Sequence, residues 1–150
     1  MQDKEIRLIF KENGVVFTKQ RAAVYAYLKK QALPLTAAQI ADGLQRTLNK
    51  SENKTNQAPK AWLSTVYRSL ELFLQKSLVS EFRLPQGEAL AYFLNENQHR
   101  HYAVCTGCNA MLDLSKCPLS AIEKELLREG FRIHSHRLEI YGLCANCNNR

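Results

Sequence analysis

His99-Arg100-His101-Tyr102-Ala103-Val104-Cys105-Thr106-Gly107-Cys108 sets a His-x-His pair directly ahead of a Cys-x-x-Cys pair. The far end of the chain answers with His134-x-His136 and then Cys144-Ala145-Asn146-Cys147. All four histidines and all five cysteines of the 150 residues fall after residue 98. In a Cys-x-x-Cys pair a tight turn aims two sulfurs, and the amides of the turn, at one ion. Cys105, Cys108, Cys144 and Cys147 can therefore supply the four thiolates of a closed, tetrahedral structural zinc site. An iron–sulfur cluster and a redox dithiol are the rivals. A redox dithiol asks for a Cys-x-x-Cys at the start of a helix, a setting the sequence assigns to neither pair.

The histidines call for a second site. On a strand, His99 and His101 share one face, and so do His134 and His136. Asp113, or Glu81 from farther upstream, can complete the set. A solvated or hydrogen-bonded histidine is the plainer reading of any one of them, but four clustered beside a zinc knuckle read as ligands. Cys117 is open between a small buried residue, a metal ligand and a redox-active thiol.

Working outward, a strand over 99–104 leads through the cysteine turn to a second strand at Met111–Leu114. Cys117-Pro118 opens a helix with Leu119, Ile122, Leu126 and Leu127 on one face, stopped by Gly130. Phe131 to Tyr141 returns as a strand. So small an α/β unit needs a metal staple or a partner chain to make up for its core.

Upstream, Asn95-Glu96-Asn97-Gln98 is a polar hinge, and the texture before it is helical and basic. Residues 1–94 carry 14 Lys/Arg against 8 Asp/Glu, while residues 95–150 carry 7 against 6. A basic module suits a phosphate backbone, because each neutralised phosphate releases counterions. A helix over 3–13 ends at Asn13-Gly14, and Thr18 opens a second. Thr36-Ala37-Ala38-Gln39 fits a capping box at the start of a third. Residues 49–59 form a polar loop. A fourth helix, over 62–76, places Leu63, Val66, Tyr67, Leu70, Phe73 and Leu74 on one arc, with Ser64, Arg68, Glu71 and Gln75 opposite and Thr65 at the border. Leu78-Val79 and Leu90–Leu94 then flank the turn Pro85-Gln86-Gly87.

The fold class is α+β: a winged helix-turn-helix domain over 1–94, the hinge at 95–98 and a small α/β metal-binding domain over 99–150. In that arrangement the outer face of the fourth helix enters a major groove. Arg68 can read guanine edges or phosphates, and Ser64 and Tyr67 can hold phosphates. Lys19, Arg21, Lys60 and Thr65 complete the DNA-facing candidates. Nothing approaches an 18-residue apolar run, and the charged N-terminus has no apolar core of a signal peptide, so a cytoplasmic protein without membrane contact is expected.

Phe17-Thr18-Lys19-Gln20-Arg21, Ser64-Thr65-Val66-Tyr67-Arg68-Ser69-Leu70, the Cys105/Cys108 pair, Gly130-Phe131 and Glu139-Ile140-Tyr141-Gly142-Leu143-Cys144 together resemble the ferric uptake regulator family, over about residues 7–147. The resemblance implies a homodimeric, metal-dependent transcriptional repressor of metal-uptake genes. Its winged helix would read an operator through Tyr67 and Arg68. Its C-terminal half would serve as the dimerisation domain and carry a structural Zn2+ on the two Cys pairs. His99, His101 and His136 match one of the family's histidine sites. Pro34 and Tyr102 stand where many members carry the histidines of the other. Ser120 sits near the point of an expected acidic ligand, with Glu123 one turn on. Leu114-Ser115-Lys116-Cys117-Pro118 is most similar to the zinc uptake regulator branch, which points to Zn2+, or else Fe2+, as the second, regulatory metal.

The alternatives within the family are an iron-responsive or a peroxide-sensing regulator. Outside that role stand a zinc-stapled DNA-binding module that senses nothing, and a zinc hydrolase or nucleobase deaminase. The last needs a non-ligand Glu poised on a metal-bound water, in an H-x-E with P-C-x-x-C pattern that this chain lacks.

Overall fold

The computed structural model describes residues 3–51, 59–95, 101–114, 117, 119–134, 136 and 138–149. They form two compact units, Met1–Arg83 with Glu88–Glu96, and Leu84–Gly87 with Asn97–Arg150. Most of the expected hinge, residues 96–98, lies outside the described residues.

The first unit opens with α1 (Asp3–Glu12) and α2 (Lys19–Lys29). Thr18 caps α2 in extended conformation, its side chain accepting a hydrogen bond from the Arg21 amide. α3 (Ala37–Ser51) begins with a reciprocal capping box: the Gln39 amide donates to Thr36 Oγ1 at 3.3 Å, and the Thr36 amide donates to Gln39 Oε1 at 2.8 Å. Such a cap is worth about 1 kcal/mol. α4 (Pro59–Gln75) starts with proline, whose missing amide N–H costs nothing in a first helical turn. The polar stretch expected as a loop over 49–59 is thus helical to Ser51 and again from Pro59, with 52–58 outside the described residues.

The core of this unit is aromatic. The rings of Phe10, Tyr25 and Phe73 meet one another, Phe10 to Phe73 at 5.5 Å between centroids and Tyr25 to Phe73 at 6.0 Å. Val66, Leu70 and Phe73, spaced by four and three residues along α4, are fully buried against Ile6, Val24 and Ile40. A small antiparallel sheet follows, made of β1 (Leu35–Thr36), β2 (Val79–Arg83) and β3 (Leu90–Leu94) in the order β1-β3-β2. Helices α2–α4 and this sheet make a winged helix.

The second unit is built on β4 (His101–Cys105), flanked by antiparallel β5 (Met111–Leu114) and parallel β6 (Ile140–Gly142). The strand expected over Phe131–Tyr141 shrinks to Ile140–Gly142. Its apolar residues Phe131 and Ile133 fall on the parity opposite to Leu138 and Ile140, so no single face runs through it, and a ladder also needs a partner edge. Phe131 stays 60% exposed. α5 (Ser120–Arg128) begins after Leu119 rather than at Cys117, and α6 (Ala145–Asn148) was not anticipated.

The turn Leu84–Gly87 groups with this second unit. There the Gln86 amide donates to Asn109 Oδ1 and Asn109 Nδ2 donates to the Gln86 carbonyl, both at 2.9 Å, while Gln86 Nε2 donates to the Thr106 carbonyl at 2.7 Å. Among the described residues no helix is long and apolar enough to cross a membrane.

Candidate metal centres and nucleic-acid interface

β4 ends at Cys105, and the chain turns back at once through Thr106-Gly107-Cys108. The Asn109 amide donates to the Cys105 carbonyl, and the Cys105 amide to the Ala110 carbonyl. Asn109 takes a left-handed φ of 59°, which asparagine tolerates better than most side chains. Parallel pairing sets Cys105 opposite Gly142, and the Thr106 amide donates to the Gly142 carbonyl at 2.8 Å. That register delivers Cys144, the N-cap of α6, to the same spot, and Cys147 follows one turn later. Gly107 is needed here for closeness, since a Cβ at 107 would lie 3.0 Å from Cys147 Sγ.

The four sulfurs lie within 4.8 Å of one another, with Cys108 and Cys144 at 3.7 Å. A tetrahedral zinc with Zn–S bonds of about 2.3 Å spaces its sulfurs by about 3.8 Å. Hydrogen bonds from the Cys144 amide at 3.3 Å and the Gly107 amide at 3.4 Å hold the Cys105 thiol down to about 6. The Ala110 amide favours a Cys108 thiolate, yet the sulfurs of Cys105 and Cys144 outweigh it and leave Cys108 raised. Cys147 is pushed up to about 12, first by the Cys108 sulfur and then by Cys144 and Cys105. Cys105 is ready as a thiolate, and Cys108 and Cys147 need a cation to join it. The Cys144 pair does sit at a helix start, contrary to expectation. It is the convergence of all four sulfurs that favours a metal over a redox dithiol.

A second group forms at the other end of β4. Buried His101 brings Nε2 to 3.1 Å from His136 Nε2, and Cys117 Sγ lies 3.4 Å from the same His136 atom. The two imidazoles stack at 5.0 Å and 28°. All three ligand atoms fall within 4.8 Å of one another. His99 lies outside the described residues.

The other regulatory candidates join neither group. Asp113 pairs with Tyr102 across β4–β5, so it takes the face opposite to that of His101. Glu123 is exposed on α5, and Glu81 pairs with Tyr92 in the first unit. Burial and then the Glu81 charge raise the Tyr92 hydroxyl. His134 is exposed, and neither it nor His136 lies in a strand, so the expected shared strand face does not form. His136 reaches its partners from irregular chain.

On α4, Ser64, Tyr67, Arg68, Glu71 and Gln75 line the exposed side, and Thr65 is half-buried. Tyr67, assigned to the apolar arc by the wheel, is 52% exposed and belongs to this outer stripe. Lys19 is exposed, Arg21 is half-buried with Nη1 donating to the Val16 carbonyl at 2.8 Å, and Lys60 falls in the first turn of α4. Gly107 and Asn109 are the site residues sequence reasoning missed. The only signal was a small residue and an asparagine in and after the first Cys pair.

Residues 12–141 match the ferric uptake regulator family. The chain belongs to that family. Its members are transcriptional regulators, not enzymes. The chain is 31% identical over 148 residues to the peroxide operon regulator of Bacillus subtilis, covering 98% of this chain and 94% of that one. It is 29% identical over 142 residues to a ferric uptake regulation protein of Staphylococcus epidermidis, covering 95% and 93%. The fold is that of the Helicobacter pylori ferric uptake regulator, with a TM-score of 0.72 at 18% identity, covering 97% of this chain and 90% of that one.

Proposed function

We propose that this family member is a homodimeric, metal-dependent repressor of metal-uptake genes, most similar to the zinc uptake regulator branch and acting in the cytoplasm. The observation that carries the reading is the second ligand group, His101, Cys117 and His136, in a chain that already has four cysteines for a structural metal. A closed site of four thiolates staples, whereas a three-ligand group leaves room for exchange. The N-terminal domain, 1–94, would bind the operator through Ser64, Tyr67 and Arg68, with Lys19, Arg21, Lys60 and Thr65 alongside. The C-terminal domain, 99–150, would hold Zn2+ on Cys105, Cys108, Cys144 and Cys147 and the sensed metal on His101, Cys117 and His136, with His99 as a further ligand.

Dimerisation accounts for the apolar side chains this unit leaves in water. Leu112, Ile122, Leu127, Phe131 and Leu143 are all exposed, and apolar surface of that kind marks a protein contact. Sensing is then linkage. A metal that binds the operator-competent arrangement more tightly shifts the population toward it, and by reciprocity DNA tightens the metal.

A peroxide-responsive reading has one observation in its favour, the 31% identity to a peroxide operon regulator. The sulfur of Cys117 favours zinc instead. The test measures metal per subunit together with binding to DNA selected from a random-sequence pool, before and after mild chelation. One retained zinc plus a removable metal whose loss abolishes DNA binding is the expected result. DNA affinity indifferent to chelation, with the structural zinc kept, would leave only a stapled DNA-binding module.

A further inference from the structure

Resting on the DNA-binding reading and deepening it, we propose that Asn109 is a positioning residue for operator binding, clasping the turn of the β2–β3 hairpin to the loop of the first Cys pair. The hairpin is paired from Val79–Leu94 up to Arg83–Leu90, so residues 84–89 are left to turn it. Of these, Leu84–Gly87 belong with the second unit. Leu84 is buried, and Gly87 reverses the chain at a left-handed φ of 87°.

Asn109 presents a whole carboxamide to the backbone of Gln86. Its Oδ1 accepts from the Gln86 amide and its Nδ2 donates to the Gln86 carbonyl, both at 2.9 Å. That is the two-way exchange of an antiparallel bridge, made here by a side chain. A carboxamide both accepts and donates in this way, whereas an aspartate would keep the first bond and lose the second. Gln86 Nε2 adds a third bond, to the Thr106 carbonyl at 2.7 Å. Thr106 lies between Cys105 and Cys108, and Asn109 follows at once, its own amide fixed on the Cys105 carbonyl. The hairpin turn is therefore held by the loop whose shape the first Cys pair dictates. Exposed Arg83 ends β2 one residue before the held stretch. In a winged helix the hairpin runs beside the DNA backbone, where a guanidinium meets phosphate and fixes the register of the protein on the duplex. A loose hairpin must be ordered when DNA binds, and a clasped one is ordered beforehand.

The experiment compares the full-length native chain with Asn109→Gly and Gln86→Ala in the presence of excess zinc, with zinc content checked by elemental analysis. Glycine keeps the left-handed φ of 59° and deletes the two bonds of Asn109. Gln86→Ala deletes the bond to Thr106 and leaves the cysteine loop unaltered. Hydrogen exchange reads the Gln86 amide, and fluorescence anisotropy over a range of salt reads affinity for DNA selected from a random-sequence pool. At native zinc content, Asn109→Gly should open the Gln86 amide to exchange and weaken DNA binding on the order of tenfold, with a salt slope shallower by about one. Gln86→Ala should weaken binding about threefold. If Asn109→Gly loses zinc, Gln86→Ala decides alone. Affinity and salt slope unchanged in the zinc-loaded variants overturn the clasp and leave the DNA-binding reading standing. Failure of the zinc-loaded native chain to bind DNA brings down both.

Discussion

Withdrawing metal from the Cys105/Cys108/Cys144/Cys147 group should unfold the second unit and leave the first intact. The second unit buries few large apolar side chains among the described residues, namely Leu84, Tyr102 and Val104 beside Cys105 itself. At about 1.5–3 kcal/mol each, those three contribute roughly 5–9 kcal/mol. A structural zinc contributes about 10–16 kcal/mol to folding near neutral pH. The ion therefore outweighs the apolar core it sits beside. The first unit has no such dependence, because its core runs from Ile6 through Phe10, Val24, Ile40, Val66 and Phe73 to Tyr92. Hydrogen exchange on the intact chain under reducing conditions, with zinc and after exhaustive chelation, reads this directly. The amides of Cys105 and Thr106, which donate to Ala110 and Gly142, should lose protection, while those of Val15 and Ala22 should keep it. Protection retained at Cys105 and Thr106 in protein shown to be zinc-free would refute the reasoning.

Four further outcomes follow from the same geometry. Gly107→Ala puts a methyl 3.0 Å from Cys147 Sγ and 3.1 Å from its Cβ, so zinc affinity should fall on the order of tenfold, measured by competition with a chelating dye. Zinc affinity should rise with pH across the neutral range. Cys105 is already a thiolate above about 6, whereas Cys108 is raised and Cys147 is pushed up to about 12, so each zinc displaces at least the protons of these last two. Dye competition at several pH values checks the slope, and a flat profile contradicts it. Arg68→Ala should weaken binding to selected DNA by about 1–3 kcal/mol with an unchanged melting curve, seen by fluorescence anisotropy. Gly43→Ala builds a Cβ on the Tyr27 hydroxyl. The displaced ring should cost about 1–3 kcal/mol, partly offset by the better helix propensity of alanine, as read by chemical denaturation.

What the sequence disclosed was whatever is decided locally. Thr18 and Thr36 with Gln39 announce helix starts because their side chains satisfy amides three residues away. The Cys-x-x-Cys pairs announce a metal because a turn of that length serves two sulfurs. Pairings set by distant chain stayed hidden. β1 is two residues long, too short to show alternation, and exists because β3 offers it an edge. The apolar residues between Phe131 and Ile140 switch parity, Phe131 and Ile133 against Leu138 and Ile140, and only the end of the stretch finds a partner beside β4. Tyr67 looked apolar on a wheel because a wheel cannot tell a phenol that packs from one that faces water. The Cys117–His136 approach joins residues 19 apart with no strand or helix to phase them, so composition alone could only nominate both.

β4 gives this molecule a sequence of events. His101 stands at one end of the strand and Cys105 at the other, on the same face, about 13 Å apart at the usual strand rise. An ion on the four cysteines would anchor Cys105, and through the strand it would help fix the place from which His101 meets His136. If both groups take metal as proposed, metallation should be ordered, the four-sulfur knuckle first and the His–Cys group second. An affinity measured for a second ion on metal-free protein would then fold in the work of assembling the strand, and would understate how tightly the assembled second group holds it.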